Sequence, residues 1–161
     1  MGALRVEVVR SKNRRKTISA HQVTDDLLRV SIPASLTKDE EQHWVDEMLR
    51  RFEKRALADK VDLERRATEL ATQHGFPQPS SVRWVDNQNA RWGSCTPGDG
   101  TIRLSSRMVG FPRWVIDSVL VHELAHLLEH RHNARFDALC ARYPLTERAT
   151  GYLLAKGFEG D

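Results

Sequence analysis

The chain has 161 residues, 40% of them hydrophobic and 29% charged, which is an ordinary balance for a globular protein. A formal net charge of +3 does not by itself imply a nucleic-acid partner. The two cysteines, Cys95 and Cys140, exclude a disulfide-rich scaffold and are typical of a reduced, cytoplasmic protein. We expect no signal peptide, because the N-terminus lacks an apolar h-region, and no transmembrane helix, because no apolar run approaches roughly 18 residues.

In chain order, the pattern first predicts strands over residues 4–9 and 17–23, joined as a β-hairpin, and a third strand over 27–32. Ser35 is then expected to cap a long helix, whose first turns are acidic and whose apolar positions recur every 3.6 residues. A second helix is predicted over residues 63–73.

A cluster of cations occupies the predicted turn between the first two strands. Its members are Arg10, Lys12, Arg14, Arg15 and Lys16. Such a cluster is typical of a solvated hairpin tip, and it is also the composition of a phosphate-binding patch. The sequence favours the solvated tip and leaves the patch open.

The clearest break in the chain lies at residues 76–80, where two prolines follow the second helix. We therefore predict an N-terminal subdomain over residues 1–75 and a catalytic core over residues 76–161. The core begins with a change back to strand-like alternation, which distinguishes it from the helical segments before it.

Strands are predicted in the core over residues 81–85, 91–95 and 101–104, the last two forming a hairpin around a Gly- and Pro-rich turn. Pro112 is placed as the first residue of a helix that continues to about Leu128. Two further helices are predicted, over residues 134–142 and 146–156.

This apolar helix carries the motif His-Glu-Leu-Ala-His, residues 122–126. Residues four apart lie on one helix face, about 6 Å apart along the axis, so His122 and His126 can bind one metal ion. Glu123 lies about 100° around the helix from His122, where it can act as general base on a metal-bound water. Burying these polar groups without a metal would be costly. The motif therefore predicts a zinc metallohydrolase.

A catalytic zinc ion needs a third protein ligand. His130 would continue a straight row about 12 Å long, which cannot surround one ion. His132 fits if the helix breaks after about Leu128 and the chain turns back, so His132 is preferred. The alternatives that stay open are Glu129, His130, Glu147 and, as a fourth ligand that would exclude water, Cys95.

Several segments of the core match a known family. They are residues 91–96 (Arg-Trp-Gly-Ser-Cys-Thr), 100–104, 115–117, 121–127 and 132–136. Together they resemble the YgjP-like metallopeptidase domain family, whose members have the zincin fold and are distantly related to SprT-like proteases. Residues 10–19 are similar to the N-terminal β segment of that family.

The resemblance implies an α+β fold with a zincin-like core, in which an antiparallel β-sheet or hairpin packs on the HExxH helix. Here an N-terminal β-hairpin and a long helix precede that core. By resemblance, His122, His126 and His132 bind one zinc ion, and Glu123 is the general base. The family often has Pro-Asn before the third histidine, whereas this chain has His130 and Arg131, so its helix break must have another cause.

In a zincin, an edge strand above the metal pairs with extended substrate, and the predicted hairpin precedes the helix as that strand should. Trp92, Ser94 and Cys95 are therefore candidates for lining the substrate cleft, and the alternative is that Trp92 belongs to the core and Gly93 forms a bulge. Tyr143 and Arg142 are candidates for transition-state stabilisation. Asp117 is a candidate for orienting a metal ligand, with helix capping or solvation as the alternative.

The preferred function is a zinc-dependent metallopeptidase acting on extended polypeptide. One alternative is a zinc-dependent hydrolase of nucleotide phosphoanhydrides, an activity that the resemblance also implies, with the basic cluster holding phosphates. Another is a non-catalytic zinc module associated with nucleic acid. Glu123 argues against the last, since a structural site needs no base, and the lack of a Gly-rich phosphate loop argues against the nucleotide hydrolase.

Overall fold

The computed structural model describes residues 4–157, and over that range the protein is a mixed α+β fold, as predicted. The elements are β1 (Arg5–Ser11), β2 (Ser19–Thr24), β3 (Leu27–Pro33), α1 (Lys38–Asp59), α2 (Leu63–His74), β4 (Ser81–Val85), β5 (Gly93–Thr96), β6 (Thr101–Ser105), α3 (Arg113–Ala125), α4 (Ala134–Cys140) and α5 (Thr146–Ala155). No helix within residues 4–157 is both long and apolar enough to cross a membrane.

The chain divides into two compact units, Met1–Ala56 and Leu57–Asp161, and α1 runs across the division. This division differs from the boundary predicted between residues 75 and 76. The difference arises because α2 packs against α3 and β4, so it belongs to the second unit. The limits 76–161 for a catalytic core stay a prediction.

In the first unit, β3 is the central strand of a three-stranded sheet with the order β1-β3-β2. It pairs in parallel with β1 and antiparallel with β2. The N-terminal hairpin is therefore β2–β3, and the predicted pairing of β1 with β2 is wrong. The reason lies in burial: Leu28, Val30 and Ile32 of β3 are fully buried, whereas β2 has no fully buried residue and suits an edge.

Helix α1 begins with a capping box formed by Thr37 and Glu40. The Thr37 hydroxyl accepts a hydrogen bond from the Glu40 N–H (3.2 Å), and the Glu40 carboxylate accepts one from the Thr37 N–H (2.8 Å). The cap predicted at Ser35 is therefore two residues early. Within the first unit, α1 contributes Met48 to the core around β3.

In the second unit, the sheet has the order β4-β6-β5. The β5–β6 pair is the predicted antiparallel hairpin, but β4 pairs in parallel with β6, so the sheet is mixed. Helix α3 packs on this sheet and also contacts α2, α4 and α5. Ten of its 13 residues are buried, which explains why its sequence is apolar on nearly every face.

A buried ion pair fixes α2 against α3. The Arg66 guanidinium donates two hydrogen bonds to the Asp117 carboxylate, from Nε to Oδ1 (2.8 Å) and from Nη2 to Oδ2 (2.7 Å). The Asp117 side chain is 6% exposed and that of Arg66 24%. Asp117 therefore joins two helices, and no hydrogen bond from it to a candidate metal ligand is present among the described contacts. Its predicted role in orienting a ligand is replaced by this one.

We expect Arg66→Ala to lower the free energy of unfolding by about 3–5 kcal/mol, because it leaves the Asp117 carboxylate buried without its partner. Urea denaturation followed by circular dichroism measures this. The matched control is Arg65→Ala on the same helix. Its pair with Glu69 is exposed, so its loss should cost less than about 1 kcal/mol. If both variants lost the same free energy of unfolding, the Arg66–Asp117 pair would not have the stabilising role given to it here.

Candidate metal centre

Helix α3 places His122 and His126 one turn apart, with their ring centroids 5.1 Å from each other. The helix ends at Ala125, and His126 is its C-cap. The sequence had predicted about Leu128 as the end. The N–H groups of Leu127 and Leu128 still bond to carbonyls three residues back, which is a tightened last turn before the chain leaves the helix.

The turn after α3 is held by Glu129. Its backbone carbonyl accepts a hydrogen bond from Nδ1 of His126 (3.1 Å), and its carboxylate accepts one from the Arg131 N–H (3.2 Å). The same carboxylate lies 3.6 Å from the Arg135 guanidinium. The bond from the Arg131 backbone is the largest cause of a lowered pKa at Glu129. These contacts provide the break for which the sequence offered no proline.

The turn brings His132 back to the helix face. Its Nε2 lies 3.0 Å from Nε2 of His126, and the nitrogens that His122, His126 and His132 can offer all lie within 4.8 Å of one another. A tetrahedral ion with bonds of about 2.1 Å separates its ligand atoms by about 3.4 Å, so the three imidazoles fit one metal ion. Within residues 4–157, Glu129, His130, Glu147 and Cys95 do not join this cluster.

The protonation of two imidazoles suits metal binding. A carbonyl oxygen only accepts hydrogen bonds, so Nδ1 of His126 carries the proton and its Nε2 lone pair is available. Burial is the main cause that lowers the pKa of His122 to about 4, with the two nearby imidazoles adding to it. Burial also lowers the pKa of His126. Both rings are therefore neutral at pH 7 and act as ligands without losing a proton.

Phe136 lies at the candidate site, and sequence reasoning gave it no role there. Its ring centroid lies 4.4 Å from that of His126 and 4.8 Å from those of His122 and His132. It is buried on α4, a helix that Asn133 caps with its side chain, as predicted. Phe136 therefore packs against all three imidazoles at once. The available signal was an apolar residue in the first turn of a helix, four residues after His132.

Glu123 is 4% exposed and lies against the backbone of β5. A Cβ atom added at Gly93 would stand 2.9 Å from Oε1 and 3.2 Å from Cγ of Glu123. A Cβ that close to the carboxylate forces the Glu123 side chain to move, so glycine at position 93 leaves room for the carboxylate in its observed place. The strand and the carboxylate thus form one wall beside the imidazoles.

A cleft of about 600 Å³ opens in front of the histidines, and Ser94 and Cys95 are among the residues that line it, while their contact with substrate stays a prediction. The Ser94 hydroxyl accepts hydrogen bonds from Gln88 (2.6 Å) and Arg103 (3.1 Å). Burial, with Glu123 adding to it, raises the pKa of the Cys95 thiol to about 11, so this side chain is a neutral part of the wall.

Trp92 lines a different pocket, of about 240 Å³, which is mostly apolar. This pocket and the cleft share Gly93, His122 and Glu123 as lining residues, so the two lie on either side of them. The Trp92 ring packs on Phe111 at 5.6 Å between centroids. Trp92 is thus a buried residue next to the candidate site, and the structure does not place it in the cleft.

Tyr143 and Arg142 are not brought to the cleft. The Tyr143 hydroxyl donates a hydrogen bond to the backbone carbonyl of Trp114 (3.0 Å). The Arg142 guanidinium donates to the carbonyls of His74 and Gly75, at the end of α2. Both side chains therefore hold packed elements together, and neither position supports the predicted contact with substrate.

Comparison with known proteins agrees with this geometry. A family model described as "YgjP-like, metallopeptidase domain" matches residues 5–153. A search of curated proteins gave no significant match.

Two solved metallopeptidase zymogens are similar in structure. Abylysin of Pyrococcus abyssi is 23% identical with a TM-score of 0.49, over 55% of this chain and 85% of that one. Jannalysin of Methanocaldococcus jannaschii is 16% identical with a TM-score of 0.51, over 60% and 97%. The expected zincin-like α+β core is confirmed.

We expect His132→Ala to weaken binding of a divalent transition metal at least 100-fold, because one of three converging nitrogens is lost. Titration with Co²⁺ in competition with a chromophoric chelator measures the affinity. His130→Ala is the matched control, since His130 lines the same cleft outside the cluster and should leave the affinity unchanged. If both variants bind like the wild type, the third ligand is wrong.

Proposed function

Because the chain belongs to the YgjP-like metallopeptidase domain family, we propose that it is a zinc-dependent peptidase in which His122, His126 and His132 hold one zinc ion. Glu123 is its general base. The observation that carries the proposal is the convergence of three imidazoles beside a buried carboxylate and an edge strand.

The donor set favours zinc. Neutral imidazoles suit zinc, whereas magnesium, calcium and manganese prefer oxygen ligands, and three protein ligands with an open fourth position are typical of catalytic zinc. A zinc ion held there supplies a Lewis acid that polarises the scissile carbonyl and lowers the pKa of water. His126 is oriented for this task by its Nδ1 hydrogen bond to Glu129, and Phe136 packs against all three rings.

Glu123 moves the protons of the reaction. One carboxylate oxygen accepts a proton from the attacking water, whose oxygen forms the new bond to the carbonyl carbon. The same carboxylate then delivers that proton to the amide nitrogen as the C–N bond breaks. Among the described residues, the candidate cluster consists of His122, His126 and His132, and the Glu123 carboxylate packs beside Gly93 outside it. The strand thus keeps the carboxylate in position to act as a base.

An extended polypeptide is the substrate that the surroundings fit best. Within the described part of the chain, β5 pairs with β6 on one side only, so its other edge can accept a peptide as an added strand. Ser94 and Cys95 of β5 already line the cleft. The neighbouring apolar pocket, with Val119 and Leu153 in its wall, is suited to an apolar side chain of that peptide.

The alternatives have less support from the site. A phosphoanhydride hydrolase needs several cations around the phosphates, and Arg91 is the single lysine or arginine among the described residues that line the cleft. A structural zinc module would not need the buried carboxylate of Glu123 beside the ligands. We further propose that the protein works in a reducing compartment such as the cytoplasm, since Cys95 and Cys140 are both free thiols.

We expect Glu123→Gln to reduce the hydrolysis of denatured casein by the zinc-loaded protein about 10²–10⁴-fold, because the amide cannot accept the proton. Its zinc content should equal that of the wild type, since Glu123 is not a ligand. Casein fragments and released amines measure the activity, and atomic absorption measures the metal. If the wild type hydrolysed nucleoside triphosphates and left casein intact, the peptidase proposal would be contradicted.

The close approach of β5 gives a second test. Gly93→Ala should lower casein hydrolysis at least 10-fold while zinc binding persists, because the new methyl group displaces the Glu123 carboxylate. Gly98→Ala, in the turn of the same hairpin, has nothing within 4 Å of its added Cβ and should leave activity unchanged. Equal activity in the two variants would show that the Glu123 position is not set by Gly93.

A further inference from the structure

We propose that the loop between β1 and β2 binds the phosphodiester backbone of nucleic acid, independently of the peptidase site. The basic loop is defined here as residues 12–16, and its cations are Lys12, Arg14, Arg15 and Lys16. The proposed function leaves these residues without a role.

Arg10, the fifth cation of the sequence cluster, is committed to the fold. Its guanidinium donates to the carbonyls of Ala34 (3.1 Å) and Leu36 (2.6 Å), and it forms an ion pair with Glu41 at 3.1 Å. These bonds hold the segment after β3 against the end of β1. Arg10 therefore has a structural role, and only the four cations of the basic loop are considered as ligands for an anion.

The basic loop has no carboxylate partner. Among the described residues, none of its four cations forms an ion pair, and the one side-chain hydrogen bond from the loop that is present joins Arg14 to the neutral hydroxyl of Thr17. The cations of α1 differ, because Arg50 and Arg51 both pair with Glu47. Unneutralised like charges side by side are costly unless an anion compensates them.

The charge of the whole chain is concentrated in this unit. Residues 1–56 carry 12 lysines and arginines against 9 acidic residues, whereas residues 57–161 carry 13 of each. The entire excess of +3 therefore belongs to the first unit. Four cations without an acidic residue in five positions form its most positive segment, and such a segment attracts polyanions over the distance of a Debye length.

The surface at the loop is concave. A cavity of about 420 Å³ is lined by Ser11, Lys12, Arg14, Arg15, Ala34 and Ser35. Its wall thus combines three cations with two serine residues, and no carboxylate faces it. Guanidinium and hydroxyl groups are the donors that proteins direct at phosphate oxygens.

The loop also lacks the groups that other anionic partners require. Residues 10–17 contain no apolar side chain that could enter a bilayer, and a concave surface contacts a strand of nucleic acid better than a flat membrane. They contain no aromatic residue on which a base could stack. The basic loop is therefore built for the phosphate backbone, without readout of base sequence.

The test compares the zinc-loaded full chain with a variant that carries Lys12→Gln, Arg14→Gln, Arg15→Gln and Lys16→Gln. Fluorescence anisotropy of a labelled 20-nucleotide single strand and of a 20-bp duplex measures the affinity at 50 and 200 mM NaCl. If four phosphates are neutralised, this rise in salt should weaken wild-type binding about 50-fold for the single strand and about 150-fold for the duplex. The variant should bind at least 10-fold more weakly at 50 mM and lose most of this salt dependence.

The matched control removes four cations from the exposed surface of α1 in the same unit, by Arg50→Gln, Arg51→Gln, Lys54→Gln and Arg55→Gln. It should keep wild-type affinity, and both variants should keep the casein activity of the wild type. Equal weakening in the two variants would show a general charge effect and overturn the proposal. Loop-dependent binding to phosphatidylserine vesicles without binding to either oligonucleotide would overturn it in favour of a membrane.

Discussion

A third metal ligand that follows two histidines of one helix by only six residues requires that the helix stop. Two histidines four residues apart share one face, but a third on the same straight helix would lie too far along the axis to reach the same ion. Here α3 ends at Ala125, and the Glu129 turn returns His132 to within 3.0 Å of His126. The hydrogen bond that holds the turn also fixes the proton on Nδ1 of His126. One short turn therefore decides both the position of His132 and the protonated nitrogen of His126.

The rest of the second unit supports that turn from two sides. On one side, β5 lies so close to α3 that a Cβ atom added at Gly93 would stand 2.9 Å from the Glu123 carboxylate. On the other, Phe136 of α4 packs against the three imidazoles. The Arg66–Asp117 pair binds α2 to the same helix. Helix α3 is thus held from several directions, which keeps the three imidazoles and the Glu123 carboxylate in one geometry. Because these contacts bury most of the helix, its sequence is apolar almost throughout.

The sequence predicted local features well and long-range ones poorly. The helix that carries His122 and Glu123 and the strand Ser81–Val85 follow from periodicity, and both are present in the structure. The parallel pairing of β1 with β3 and the contact between Arg66 and Asp117, 51 residues apart, depend on the whole fold. The end of α3 was placed too late because Leu127 and Leu128 continue its apolar pattern. Tyr143 was assigned to the site by its residue type, whereas its position is set by packing.

The packing of the Phe136 ring against the three imidazoles can be used to follow the histidines by nuclear magnetic resonance. Phe136 is stacked on His126 with 26° between the ring planes, so its ring current shifts the imidazole protons upfield. Any rotation of His122, His126 or His132 relative to that ring changes the shift. Metal loading or inhibitor binding that rotates an imidazole would therefore change the chemical shifts of its ring protons, without a label or probe added to the protein.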